Sequence, residues 1–205
     1  MPKSFSSEEQ SEIRESLLNT GEDLFSTFGL KKTTVEELTE SVGIAKGSFY
    51  KFFDSKEALY YEVYRREEKK MKGRVLMTLY GQEFSAAAFA DFLLEAIKQI
   101  EKYPIMRRMY LENEYKQVIR KIPQSYLDEH TSEDISELTP LIRQWQESGQ
   151  MIQRDPEIIT SAIRGFFILV IHKDDIGEEY YDETVEFMAQ CLAEGLVTEK
   201  ETTHD

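Results

Sequence analysis

Within the stretch GIAKGSFYKFF, residues 43–53, every charged side chain is a lysine, although the 205-residue chain carries a formal net charge of −14 at pH 7. Lys46 and Lys51 offer ammonium donors, Ser48 and Tyr50 offer hydroxyls, and Gly47 leaves the backbone bare between them. These groups share one chemistry, which is to donate hydrogen bonds to oxyanions such as phosphodiesters and to offset their charge. On a helical wheel starting at Lys46, Tyr50 falls at about 40°, Gly47 at about 100° and Lys51 at about 140°, while Ala45, Phe49, Phe52 and Phe53 gather on the opposing arc. The spacing predicts a helix over 45–53 with one basic, wet face and one apolar face.

Such a helix needs neighbours to hold it. Thr34 followed by Glu37 reads as a capping box, with Val35, Leu38 and Val42 behind it and Gly43 as a break, so a short helix precedes the basic one. Before that, Ile13, Leu17, Gly21, Leu24, Phe25 and Phe28 recur at spacings of three and four between the cap candidates Ser6 and Ser7 and a terminating Gly29. Two helices joined by a glycine-containing turn form a helix-turn-helix, whose second helix enters the DNA major groove. On this reading Lys46 reaches base edges or phosphate, Gly47 allows close approach, Ser48 and Tyr50 bond phosphate oxygens, and Lys51 adds charge. Thr33 and Thr34 ahead of the second helix, and Lys56 at the start of a fourth, are candidates to clamp the phosphates on either side.

The run TTVEELTESVGIAKGSFYKFFDSKEAL, residues 33–59, resembles the N-terminal signature of the TetR family of bacterial transcriptional regulators. In that signature a glycine-containing turn is followed by Lys-Gly-Ser/Thr, an aromatic pair, a closing Phe and Ser-Lys-Glu. The resemblance covers about residues 8–65 and implies DNA contacts at Thr34, Lys46, Gly47, Ser48, Tyr50, Lys51 and Lys56. Three positions depart from the pattern: Phe52 replaces a residue often able to bond phosphate, Thr39 replaces a small Ala, and Ala45 lacks a capping oxygen.

Charge is shared unevenly. Residues 1–75 hold 13 Lys and Arg against 14 Asp and Glu, leaving 12 against 25 for residues 76–205. An acidic body repels nucleic acid, so DNA would meet only the N-terminal face. The expected architecture is all-α with about nine helices: a three-helix head over residues 1–55 and a helical body over 56–205. In the body, apolar periodicity marks a long helix from Asp54 or Ser55, a helix around Phe89 to Ile100, another from Ile105 to about Ile122, and one through Leu138 to Trp145 in which Pro140 marks a kink or restart. Asp155 and Pro156 start a helix running to Ile171, and Tyr180 to Leu196 forms the last.

The resemblance implies a body that encloses a small-molecule effector. Phe89, Phe92, Met106, Tyr110, Trp145 and Phe166 are the candidate lining, although an aromatic stripe at helical spacing equally makes core. Arg107, Arg108 and Arg164 could meet an anionic effector, or equally form salt bridges. The last two helices, about 156–173 and 180–197, are apolar on more than one face, which a two-fold copy would cover, giving a homodimer. Its two recognition helices would lie about 34–36 Å apart or somewhat further, on successive major grooves of a palindromic operator. An effector that tilts the fourth helix would move the heads out of register and release the DNA, making the expected molecule a repressor.

Other classes find less support. The longest apolar run, Phe166 to Ile171, is too short for a membrane span, and the N-terminus lacks the apolar stretch of a secretory signal, so the cytoplasm is the expected compartment. A single cysteine, Cys191, forms no intrachain disulfide and is expected to pack in the interior. No zinc-site spacing, Walker loop or nucleophile elbow is present, so neither metal nor cofactor is expected. One alternative is a helical enzyme holding magnesium through Asp174, Asp175 and Glu178, a spacing that occurs once and without a second acidic motif. Another is a helix-turn-helix used as a protein-interaction module.

Overall fold

The computed structural model describes residues 5–79, 83–110, 112, 114–170 and 176–198. Ten α-helices and no strand beyond one isolated bridge are found among these residues. They fall into two compact units, one made of residues up to Lys69 with Tyr103–Gln124, the other of Lys70–Lys102 with the residues from Ser125 onward.

The first unit begins with α1, Ser7–Lys32. Ser6 caps it reciprocally: its hydroxyl accepts from the Glu9 N–H, and the Glu9 carboxylate accepts from the Ser6 N–H at 2.7 Å. Gly29 interrupts the regular helix with φ 77° and ψ 171°, a conformation open only to glycine. The Thr34–Glu37 capping box starts α2, Val35–Val42, and Gly43 ends it in the left-handed region. The third helix, α3, is α-helical only over Lys46–Phe49; beyond it the Lys51 and Phe52 N–H groups bond the Ser48 and Phe49 carbonyls in tighter turns. The expected helix to Phe53 is thus shortened. Ala45 provides no side-chain cap, and a glycine inside so short a helix costs about 1 kcal/mol relative to alanine.

Ser55 accepts from the Ala58 N–H and opens α4, Lys56–Leu76, whose residues are shared by both units. The expected helix from Ile105 to Ile122 is divided into α6, Pro104–Tyr110, and α7, Glu114–Ile119. At the start of α7 the Glu114 carboxylate accepts from the Tyr60 hydroxyl and from the Leu30 N–H, which ties α7 to α4 and to the end of α1. Phe25 and Tyr60 meet edge to face at 4.9 Å, and Leu17, Leu38, Phe49 and Leu59 are fully buried around them. Fully burying each such side chain contributes about 1.5–3 kcal/mol, so hydrophobic burial dominates the assembly of this unit.

The second unit contains α5, Ala86–Lys102; α8, Gln124–Glu147; α9, Pro156–Val170; and α10, Tyr181–Leu196. Pro140 lies inside α8 and does not restart it. The Asp155 carboxylate accepts from the Glu157 N–H at the start of α9, in keeping with the Asp-Pro pair. Phe89, Leu93, Ile142, Ile163 and Ala189 share one core, with α10 packed against α5 and α9. The loop after α8 is tied to the end of α10 by a bridge between Met151 and Val197, with the Ile152 N–H bonding the Leu196 carbonyl at 2.9 Å. Cys191 is exposed on α10, so the thiol does not pack in the interior as expected.

Candidate nucleic-acid interface

The expected DNA-reading residues surround α3. Lys46, Gly47, Tyr50 and Lys51 are all exposed, and Phe49 and Phe53 are buried beneath them. Tyr50 is 54 % exposed, with its ring edge against Phe49 at 5.4 Å. A Cβ added at Gly47 would meet nothing within 4 Å, so the free fold makes no steric demand for glycine there. Ser48 is half-buried and its N–H bonds the Ala45 carbonyl at 2.7 Å. Ala45, placed on the apolar arc by periodicity, is exposed because the chain enters α3 there in an extended conformation.

Two of the lysines have partners that periodicity does not reveal. The Lys46 Nζ donates to the Glu36 carboxylate on α2. That hydrogen bond holds Glu36 below the usual carboxylate range and raises Lys46 above the usual lysine range. The Lys51 Nζ lies 5.5 Å from the centre of the Phe5 ring, which also packs against Phe52 at 6.2 Å. Phe52, lacking a polar atom, therefore helps to anchor the N-terminal residues. Glu36 lies ten residues before Lys46, beyond helical spacing, so only the fold of the turn brings the pair together.

The flanking clamps divide. Thr34 is exposed, and its hydroxyl accepts from the Glu37 N–H and donates to the Glu37 carboxylate. Thr33 is buried, and both its N–H and its hydroxyl donate to the Gly29 carbonyl. In the free chain its donors close the end of α1. Lys56 directs its Nζ to the Leu30 and Thr33 carbonyls, each at 2.6 Å, and burial pushes its pKa down. It pins α4 to the segment joining α1 and α2, with its ammonium group turned onto those carbonyls.

The candidate effector residues also divide. Phe89, Phe92, Trp145 and Phe166 lie in or against the core of the second unit, with Phe89 stacked on Phe92 at 5.6 Å and edge-on to Trp145 at 6.0 Å. Met106 and Tyr110 belong to the first unit, where Met106 is fully buried and the Tyr110 and Tyr64 hydroxyls are 2.8 Å apart. Burial and the neighbouring Glu68 carboxylate push Tyr64 well above the usual tyrosine range. Arg107 and Arg108 both pair with Glu112. Asp174 and Asp175 lie outside the described residues, Glu178 is exposed in a short 3₁₀ turn, and no cluster suited to a metal is found among the described residues.

Residues 17–63 match the family described as bacterial regulatory proteins, tetR family. The chain is 24 % identical over 200 residues to the HTH-type transcriptional regulator RutR of Escherichia coli K12, covering 89 % of this chain and 90 % of RutR. Its fold matches a TetR-family transcriptional regulator from Pectobacterium atrosepticum with a TM-score of 0.70 at 20 % identity, over 96 % of this chain and 100 % of the other. It also matches SmeT, the repressor of the Stenotrophomonas maltophilia multidrug efflux pump SmeDEF, with a TM-score of 0.59 at 16 % identity over 91 % of each chain. SmeT has been solved in complex with triclosan as well.

Proposed function

We propose that this chain, which belongs to the TetR family of bacterial regulatory proteins, is a ligand-responsive transcriptional repressor that binds a palindromic operator as a homodimer and leaves it when a small molecule binds. The observation that carries this reading is the outward presentation of Lys46, Tyr50 and Lys51 around an unobstructed Gly47, above a buried Phe49 and Phe53. Those donors suit the phosphates and base edges of a major groove. Thr34 and Ser48 complete the proposed contact set, and Lys56 serves it by fixing the position of α4.

Residues 1–55 form the proposed DNA-reading head and residues 56–205 the effector-binding and dimerisation region. SmeT, a repressor solved with triclosan, supports a repressor under small-molecule control. Phe89, Phe92, Trp145 and Phe166 are retained as effector candidates. Met106 and Tyr110, also proposed as effector contacts, lie in the first unit, where Tyr110 meets Tyr64 of α4. No described helix is long and apolar enough to cross a membrane, and a regulator of transcription works in the cytoplasm. The chain is read as a regulator and not an enzyme.

The test is operator retention. DNA fragments selected from genomic DNA by the purified protein are expected to contain a palindrome. Retention in a gel shift is expected to disappear in the double variant Lys46→Ala, Tyr50→Phe, with circular dichroism and oligomeric mass unchanged. Undiminished retention by that variant removes these residues from the interface, and failure to select any DNA overturns the reading.

A further inference from the structure

We propose that Arg164 and Thr160 of α9 anchor the effector, and that the effector is a small monoanion, a carboxylate on an apolar body. This rests on the ligand-responsive reading above and narrows it to a chemical class. Thr160 is fully buried, yet its hydroxyl has no hydrogen-bond partner among the described residues. A helical threonine can donate to the carbonyl four residues back, as Thr39 does to Val35 in this chain. Thr160 makes no such bond to Pro156.

One helical turn further on, the Nη1 of Arg164 is buried and also unpartnered among the described residues. Arg14, Arg66 and Arg108, by contrast, each hold a carboxylate. A guanidinium cannot escape the cost of burial by losing its proton, so a buried, unpaired N–H calls for an acceptor. Residues at i and i+4 lie on the same helix face, with Cβ atoms about 5–6 Å apart. A carboxylate can bridge that spacing, one oxygen accepting from Arg164 and the other from the Thr160 hydroxyl. One guanidinium in so acidic a region balances one negative charge, which favours a carboxylate over a phosphate dianion. Ile163 and Phe167 lie on or beside the same face of this helix, in or against the core that holds Phe89, and are suited to receive the apolar body. Thr139 on α8 presents another buried, unpartnered hydroxyl in this unit, available to a second polar group.

The test uses the full-length protein. Octanoate and phenylacetate are titrated beside their neutral amides, octanamide and phenylacetamide, while the thermal midpoint and operator retention are recorded. The carboxylates are expected to raise the midpoint and release the operator, the amides to do so weakly. Arg164→Gln is expected to weaken the carboxylate effect at least about tenfold. Without any probe, Arg164→Gln and Thr160→Val should melt at or above the parent temperature, because each removes an unpaired buried group. A lowered midpoint in Arg164→Gln without probe would assign the residue a structural role, and a halved mass would assign it to contact with a second copy; either result overturns the inference. So does an equal response to acids and amides, or no response to any probe. If the parent protein retains its operator in such a case, the regulator reading survives alone; if it never retains DNA, that reading fails independently of the carboxylate response.

Discussion

Lys46 is held in the free protein by a carboxylate that would compete with the proposed DNA contact. Its Nζ donates to Glu36, both side chains being about half exposed, so the pair is solvent-screened and readily exchanged for a phosphate. In the proposed complex Glu36 would then remain as a negative charge beside the duplex. Glu36→Gln is therefore expected to raise operator affinity by roughly two- to fivefold at low salt, with a smaller gain as salt rises, measured by fluorescence anisotropy at two salt concentrations. Unchanged or weakened binding would show that Glu36 positions Lys46 productively instead of competing for it. The lysines, the glycine and the tyrosine are legible in the sequence because residue type and spacing carry their chemistry. The Glu36 partnership is not, because it joins two helices across a turn.

At the level of elements, caps and glycines read correctly wherever the determining bonds are local. Ser6, one of two cap candidates, the Thr34–Glu37 pair and Gly43 all act within a few residues of the helix ends they define. Sequence is silent where distant residues meet, as at Glu114, whose bonds to Tyr60 and Leu30 tie the start of α7 to α4 and α1. At Lys56, whose charge and position suggest a phosphate clamp, the fold adds a strut that the sequence does not reveal. Its two bonds to the Leu30 and Thr33 carbonyls tie α4 to the segment between α1 and α2. Lys56→Met keeps the length of the side chain but strands those carbonyls, and is expected to cost about 1–2 kcal/mol, toward the lower end for charged hydrogen bonds because the amine is partly solvated. A lowered urea midpoint with an unchanged slope is the measurement that checks it. An unchanged midpoint, with operator binding lost, would return Lys56 to the role of phosphate clamp.

At the level of the whole molecule, apolar side chains remain on the outside of α9 and α10. Ile158 is 57 % and Phe187 65 % exposed, with Ile168 and Leu169, and Tyr180 just before α10, also uncovered. These residues supply the apolar patch that the proposed two-fold copy would bury. The double variant Ile158→Asp, Phe187→Asp is expected to halve the mass measured by light scattering, keep its helical circular dichroism, and lose operator affinity at least about a hundredfold, since each head would then bind a half-site alone. A full-mass variant would move the interface elsewhere. Cys191 lies one helical turn after Phe187, and it is the only thiol in the chain. A nitroxide attached there would place one spin on each protomer without further engineering. Dipolar broadening between the two spins would then report both pairing of the chains and any shift of that helix when the operator is released.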